Sequence, residues 1–257
     1  MIKKKNKLPA VYLLPNLVTS AALFCGFYSI ITAVSGNYIE SAVYILFAMI
    51  LDGLDGRVAR MTNTQTSFGE YFDSLSDMLC FGVAPALLIY LSSLSMFSFG
   101  YLAKVSYIAC FIYIASTAIR LARFNSRNQS TDKKYFIGLA SPAAAAILIC
   151  YVWLLVDLEV DISSYAILTI ILIVTLSILM ISNIGYMSFK DINLKQKVPY
   201  IMLFIISLVI SFISFDPPKV LFIFFLLYGL SGPSLYLIRR LRRNRITDTQ
   251  YSSKNNQ

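Results

Sequence analysis

Apolar residues fill this chain in stretches of roughly 20, each long enough to cross ~30 Å of hydrocarbon as an α-helix. Short polar punctuation separates them, and the pattern predicts eight spans at about 17 to 35, 39 to 61, 68 to 92, 99 to 123, 137 to 156, 163 to 187, 198 to 215 and 219 to 238. The second and third carry charges that a strict hydropathy test rejects. Their strongly apolar, helix-compatible flanks argue for keeping them. No soluble domain fits between spans, so one all-α polytopic membrane domain covering residues 1–257 is expected.

Composition supports this: 58% of the 257 residues are hydrophobic, only 14% are charged, and the mean hydropathy is +0.70, values far from those of a soluble domain. The N-terminal MIKKKNKLPAVYLLPN is basic and then apolar. Its hydrophobic run exceeds signal-peptide length and has no small-residue cleavage signal, so it is expected to be retained. The four cysteines, Cys25, Cys80, Cys110 and Cys150, all lie in apolar segments without CxxC spacing, and there is no histidine, which leaves no zinc site.

Positive charge then orients the spans. With the N-terminus inside, the inner segments collect Lys3, Lys4, Lys5, Lys7, Arg57, Arg60, Arg120, Arg123, Arg127, Lys133, Lys134, Lys190, Lys195, Lys197, Arg239, Arg240, Arg242, Arg243, Arg245 and Lys254. That is 20 of the 22 basic residues, leaving Lys104 and Lys219 outside. The outer connection VDLEVDISS holds Asp157, Glu159 and Asp161 and no basic residue. Both termini are therefore expected in the cytoplasm. The net charge of +9 follows from this asymmetry, and RRLRRNR reads as an anchor against anionic lipid. No basic stripe alternates with exposed aromatics, which argues against nucleic-acid binding.

One stretch breaks the apolar pattern. Between Leu51 and Gly82 lie five of the 13 acidic residues: Asp52, Asp55, Glu70, Asp73 and Asp77. On a helix, Asp52, Asp55, Gly56, Ala59 and Arg60 share one stripe, as do Gly69, Asp73 and Asp77 on the next. The short MTNTQTS connection makes the two helices antiparallel neighbours, so that the acids can face one another. Four carboxylates converging at low dielectric repel strongly unless a cation is bound. All-oxygen ligation suits Mg²⁺ or Mn²⁺, and four carboxylates suffice for two ions, the arrangement used for displacement at phosphorus. Gly56 and Gly69 leave room for a ligand near the backbone, and Arg60 offers a fork suited to phosphate. Intramembrane acids also occur as salt-bridged packing residues or along the path of a cation or proton transporter. Spacing alone leaves these readings open and names no substrate.

The same residues, as D-x2-D-G-x2-A-R-x8-G-x3-D-x3-D, resemble the signature of the CDP-alcohol phosphotransferases, complete at Asp52, Asp55, Gly56, Ala59, Arg60, Gly69, Asp73 and Asp77. The resemblance implies a membrane enzyme that attacks the pyrophosphate of a CDP-activated substrate with an alcohol and releases CMP. It implies metal ligation by Asp52, Asp55, Asp73 and Asp77, with Asp77 also the general base, and CDP packed against Gly56, Ala59 and Gly69 with Arg60 near its phosphates. It further implies a six-helix catalytic core over 1–187, two added helices over 188–245, a polar tail over 246–257, and a homodimer.

The segments PNLVTSAALFCGF, SDMLCFGVAPALLIY, RLARFN, FIGLASPAAA and SNIGYMSFK are similar to the bacterial and archaeal branch of that family that uses L-serine as acceptor. CDP-diacylglycerol and L-serine are then the expected substrates, in the plasma membrane of a prokaryote. Where that branch usually has Pro, this chain has Ala140. Without histidine no phosphatidyl-histidine can form, so a direct displacement is expected. Glycerol 3-phosphate or an inositol phosphate is the alternative acceptor, although either calls for more basic residues near the acids.

Serine's carboxylate needs a cation at the inner face, for which Arg120, Arg123 and Lys190 are candidates. Each also reads as a plain positive-inside anchor. Asn125 could accept from the amine. Asn16 and Thr19, at the start of the first span, could reach the nucleotide, as a similar pair does in the family. Their plain alternative is a helix start.

Overall fold

The computed structural model describes residues 9–95, 100–126, 135–187 and 200–254. The expected site residue Lys190 lies outside them. Nine α-helices are present among the described residues: α1 (Pro9–Val34), α2 (Tyr38–Thr62), α3 (Ser67–Asp77), α4 (Ala84–Ile89), α5 (Tyr101–Ser126), α6 (Ser141–Asp157), α7 (Ala166–Ile181), α8 (Tyr200–Phe215) and α9 (Pro217–Lys254). Helices α3 and α4 belong to one continuous rod, Ser67–Leu94, joined by π-helical turns at Met78–Val83 and extended by another at Tyr90–Leu94.

The architecture is helical, as hydropathy predicts, and five segments are long and apolar enough to cross a membrane: Leu13–Val34, Ser67–Leu94, Tyr101–Ser126, Ile162–Ile181 and Pro217–Tyr236. The count of eight is not reached on that criterion. Helix α2 carries the charges of the acid motif, while α6 and α8 have 17 and 16 residues. The third span passes despite its acids, because they are confined to its first half. The sixth span stops short of 187: α7 ends at Ile181, and Gly185–Met187 leave the helix as a strand. The last helix runs on through polar residues to Lys254, where an apolar-run criterion stops at the first arginines although charged residues are good helix formers.

Helix α6 is the hub. From Ala144 to Cys150 every residue is fully buried, which explains a helix that is apolar all round instead of on one face. It packs against α2 and α9, while α1 lies along α2, and α5 along α7. The outer faces carry exposed Phe24, Phe47, Phe111, Ile171 and Leu227, the large apolar residues that a lipid-facing surface uses.

Two local features have identifiable causes. Pro85 has no N–H to give the carbonyl four residues back, and the buried Tyr113 hydroxyl from α5 donates to that carbonyl, Phe81 O, at 3.0 Å. The rod loosens into π-turns just there, directly after Asp77. Asp161 opens the turn before α7, accepting from Ser163 N at 3.1 Å and from the Ser163 and Ser164 hydroxyls, and these bonds hold its carboxyl below the ordinary carboxylate range.

Hydropathy does not predict the antiparallel ribbon of β1 (Tyr135–Ile137) and β2 (Gly185–Met187), which pairs Phe136 with Tyr186. It ties the segment before α6 to the segment after α7. Gly138 finishes the strand at φ 82°, giving its N–H to Ile184 O at 2.8 Å, and a Cβ there would strike the Met180 carbonyl oxygen. Gly138→Ala should therefore destabilise the fold by at least about 1 to 2 kcal/mol from the left-handed backbone alone. Thermal denaturation in detergent should show a lowered midpoint; an unchanged midpoint would refute this account of the ribbon.

Candidate active site

The turn between α2 and α3 sets the register of the acids. Helix α2 ends with Asn63 in the left-handed conformation at φ 51°, which Asn tolerates, and Thr64 N closes back on Ala59 O at 3.0 Å. Thr66 then caps α3, its hydroxyl accepting from Gly69 N at 3.1 Å. Two helix ends are thus satisfied within a few residues, and α3 starts at a fixed phase relative to α2.

With that phase fixed, one carboxylate oxygen from each of Asp52, Asp55 and Asp73 falls within 4.8 Å of the others. Asp77, one turn further along α3, lies beside Asp52 within hydrogen-bonding reach. The stripes deduced from spacing therefore do converge. Helix α1 completes the wall. Thr19, 4% exposed, donates its hydroxyl to Asp55 Oδ2 at 2.6 Å, and Asp55 itself is 4% exposed. Neither Thr19 nor Asn16 begins a helix, since α1 starts at Pro9, and the Thr19 hydroxyl also lies 3.1 Å from Pro15 O one turn back, the bond an ordinary helix threonine makes.

The glycines have local reasons. A Cβ on Gly69 would sit 3.4 Å from Asn16 Oδ1 and 3.3 Å from Thr66 Oγ1, so this glycine lets α1 approach the start of α3. A Cβ on Gly56 would meet only the Arg60 guanidinium, 3.6 Å from Nη1, which shows Arg60 folded back over Gly56 one turn earlier. Ala59 is half-buried on the same stripe.

The charge balance at the cluster is incomplete. Among the described residues none of the four carboxylates is in a salt bridge; the ion pair present joins Lys219 to Asp216. Two guanidinium groups stand nearby without closing on the acids: Arg60 toward Asp55, and Arg120 toward Asp77 and Asp52. Asp73 Oδ1 is buried and meets no donor among the described residues. A buried acceptor left unmet among like charges is what a hard divalent cation satisfies, and oxygen-only ligands fit such an ion. The cluster of Asp52, Asp55 and Asp73 therefore fits a metal, with Asp77 adjacent.

The expected acceptor contacts separate. Arg120, on α5, is within electrostatic range of Asp77 and Asp52 and donates from Nη1 to Ser141 Oγ at 2.6 Å. Arg123 turns away: Nη1 donates to Ile181 O at 3.2 Å and Nη2 to Asn183 Oδ1 at 2.6 Å, where it caps the end of α7. Asn125 Nδ2 donates to Ser74 Oγ at 2.9 Å, at the rim of an apolar groove of about 350 Å³ between α3 and α5. Ser74 is off the Asp73–Asp77 stripe, so Asn125 faces a different side of α3 from the acids. Sequence reasoning missed Ser141 and Tyr228. Ser141 sits in a run noted only for its likeness to relatives. Tyr228 sits on α9, beyond the segments that carry the resemblance, yet it is within electrostatic range of Arg120, and its ring is tilted against that of Tyr186 with 5.8 Å between centroids.

The chain belongs to the CDP-alcohol phosphatidyltransferase family, whose profile matches residues 12–181. More narrowly, it is similar to a protein of Helicobacter pylori (strain ATCC 700392 / 26695) named CDP-diacylglycerol--serine O-phosphatidyltransferase, 38% identical over 223 residues that cover 86% of this chain and 90% of that one. A protein of the same name from Methanocaldococcus jannaschii is 34% identical over 209 residues, 81% of this chain and 90% of its own. The archaetidylserine synthase of Methanothermobacter thermautotrophicus is 32% identical over 183 residues, 70% and 72% of the two chains.

Thr19→Val keeps the side chain's shape and removes the donor that orients Asp55. If the cluster holds a divalent cation, Mn²⁺ affinity, read from the free-ion electron paramagnetic resonance signal, should fall about tenfold. Unchanged affinity would show that Asp55 does not depend on Thr19.

Proposed function

We propose that this chain transfers the phosphatidyl group of CDP-diacylglycerol to L-serine by direct displacement, giving phosphatidylserine and CMP. The convergence of Asp52, Asp55 and Asp73 beside Asp77 carries the reaction class, because it reproduces in space the spacing that defines the family. The acceptor rests on relatives named for serine that match most of this chain.

Asp52, Asp55, Asp73 and Asp77 would hold two Mg²⁺ or Mn²⁺ ions. When bound, these ions neutralise the acids and the pyrophosphate and polarise the phosphorus that is attacked. The charges agree with this stoichiometry: four carboxylates and a doubly anionic pyrophosphate are balanced by two guanidinium groups and two divalent cations. Asn16, Gly56, Ala59 and Gly69 line the nucleotide's place, and Arg60, folded over Gly56, faces its phosphates.

In the step itself, Asp77 accepts the proton of the serine hydroxyl. The freed oxygen forms a bond to the β-phosphorus, and the bond from that phosphorus to the bridging oxygen breaks. CMP departs with the bridging oxygen and the bonding electron pair. Arg120 is the cation that receives the serine carboxylate. Arg123, whose donors are engaged on α7, holds the bundle together, and we assign neither it nor Asn125 a contact with serine. The active site opens to the cytoplasm, where both termini lie, and the protein works as a homodimer in the plasma membrane.

Asp77→Asn removes the base but keeps the side chain's size. Serine-dependent CMP release by purified protein with Mn²⁺ and CDP-diacylglycerol should fall by at least about a hundredfold while CDP-diacylglycerol binding persists. Retained turnover would remove Asp77 from the role of base. Release of CMP with glycerol 3-phosphate but not serine would overturn the acceptor.

A further inference from the structure

Arg120 stands where two opposing demands meet. It belongs to α5, yet its guanidinium reaches the first turn of α6, a helix N-terminus whose dipole disfavours a cation. One atom compensates there: Ser141 Oγ, completely buried, accepts from Nη1 at 2.6 Å, the short distance of a charge-assisted bond. Arg120 Nε is buried as well and meets no partner among the described residues. A buried charged donor without an acceptor is expensive, and such groups persist where a ligand supplies the missing partner.

The surroundings restrict what that ligand can be. The charged and phenolic groups within electrostatic range of the guanidinium are Asp77, Tyr228, Tyr113 and Asp52, so the open donor belongs to a group that shares the field of the carboxylate assigned as base. In serine the hydroxyl and the carboxylate are borne by adjacent carbons. A molecule presenting its hydroxyl to Asp77 therefore brings its carboxylate within reach of Arg120 only if the guanidinium is held near its observed place. An arginine has several free torsions, and in the described structure Ser141 is the side chain that fixes the tip.

We propose that Ser141 is a positioning residue for the acceptor: by holding Nη1 of Arg120, it aims the remaining guanidinium donors at the carboxylate of the incoming 2-amino-3-hydroxy acid. This rests on the reading that serine is the acceptor. Ser141 touches neither the phosphorus nor the proton in flight, so its effect falls on acceptor binding and selectivity and leaves the chemical step largely alone.

The test is steady-state CMP release by Ser141→Ala and Ser141→Thr in detergent micelles, with serine varied at saturating CDP-diacylglycerol and Mn²⁺. Ser141→Ala should raise KM for serine roughly tenfold to a hundredfold, the range for losing a hydrogen bond to a charged group. It should change kcat and the KM for CDP-diacylglycerol less than about threefold. Ser141→Thr, which restores a hydroxyl, should recover most of the serine KM. Ethanolamine, which lacks the carboxylate, should compete with serine better in Ser141→Ala than in the unmodified protein. If Ser141→Ala does not accumulate, Ser141→Cys, with similar volume and a weak acceptor, provides the same comparison. An unchanged serine KM alongside a lowered kcat or melting midpoint would overturn the inference and leave Ser141 a packing residue. CMP release by the unmodified protein with a different alcohol but not serine would overturn the acceptor reading and this inference together.

Discussion

Four carboxylates held in a mostly apolar bundle repel one another, and everything around them is arranged to hold them together regardless. Asn63 and Thr66 fix the turn that brings α2 and α3 into phase. Thr19 reaches across from α1 to clamp Asp55, and Arg60 and Arg120 stand near without forming ion pairs with the acids. A closed salt bridge to each acid would relieve the repulsion and remove the capacity to bind a cation. The cluster instead stays partly uncompensated, which suits a site that gains its full charge balance only with metal and an anionic substrate present.

The bundle supplies rigidity for this. Helix α6 is buried on all sides at the centre, and α1 closes on the acid-bearing rod because Gly26 admits Cys80 and Gly69 admits Asn16 at the crossings. On the far side the ribbon of β1 and β2 presents Tyr186 to α9, its hydroxyl donating to Gly229 O at 3.1 Å while its ring fills the space over Gly232. Tyr228, whose ring is tilted against that of Tyr186, is within electrostatic range of Arg120. The C-terminal helix, outside the stretch matched by the family profile, thus shares a wall with the proposed acceptor pocket.

Much of the site was legible in the sequence because helical period is a strong constraint: acids spaced three and four apart on two adjacent helices have little choice but to share a stripe and meet. The family resemblance added roles that spacing does not carry. What could not be read depended on long-range packing. Arg120 and Arg123 are three residues apart with the same composition of surroundings, yet one points to Ser141 and the acids and the other caps α7. Hydropathy likewise cannot see a short ribbon such as β1 and β2, whose residues are as apolar as their helical neighbours, nor a helix such as α9 that continues past its apolar run.

The claim that the acids form a two-cation site is tested most directly by anomalous diffraction from crystals grown with Mn²⁺ and CDP-diacylglycerol. Two anomalous peaks among Asp52, Asp55, Asp73 and Asp77 are the result expected. An ordered nucleotide bound with no Mn²⁺ peak at these carboxylates would contradict the account.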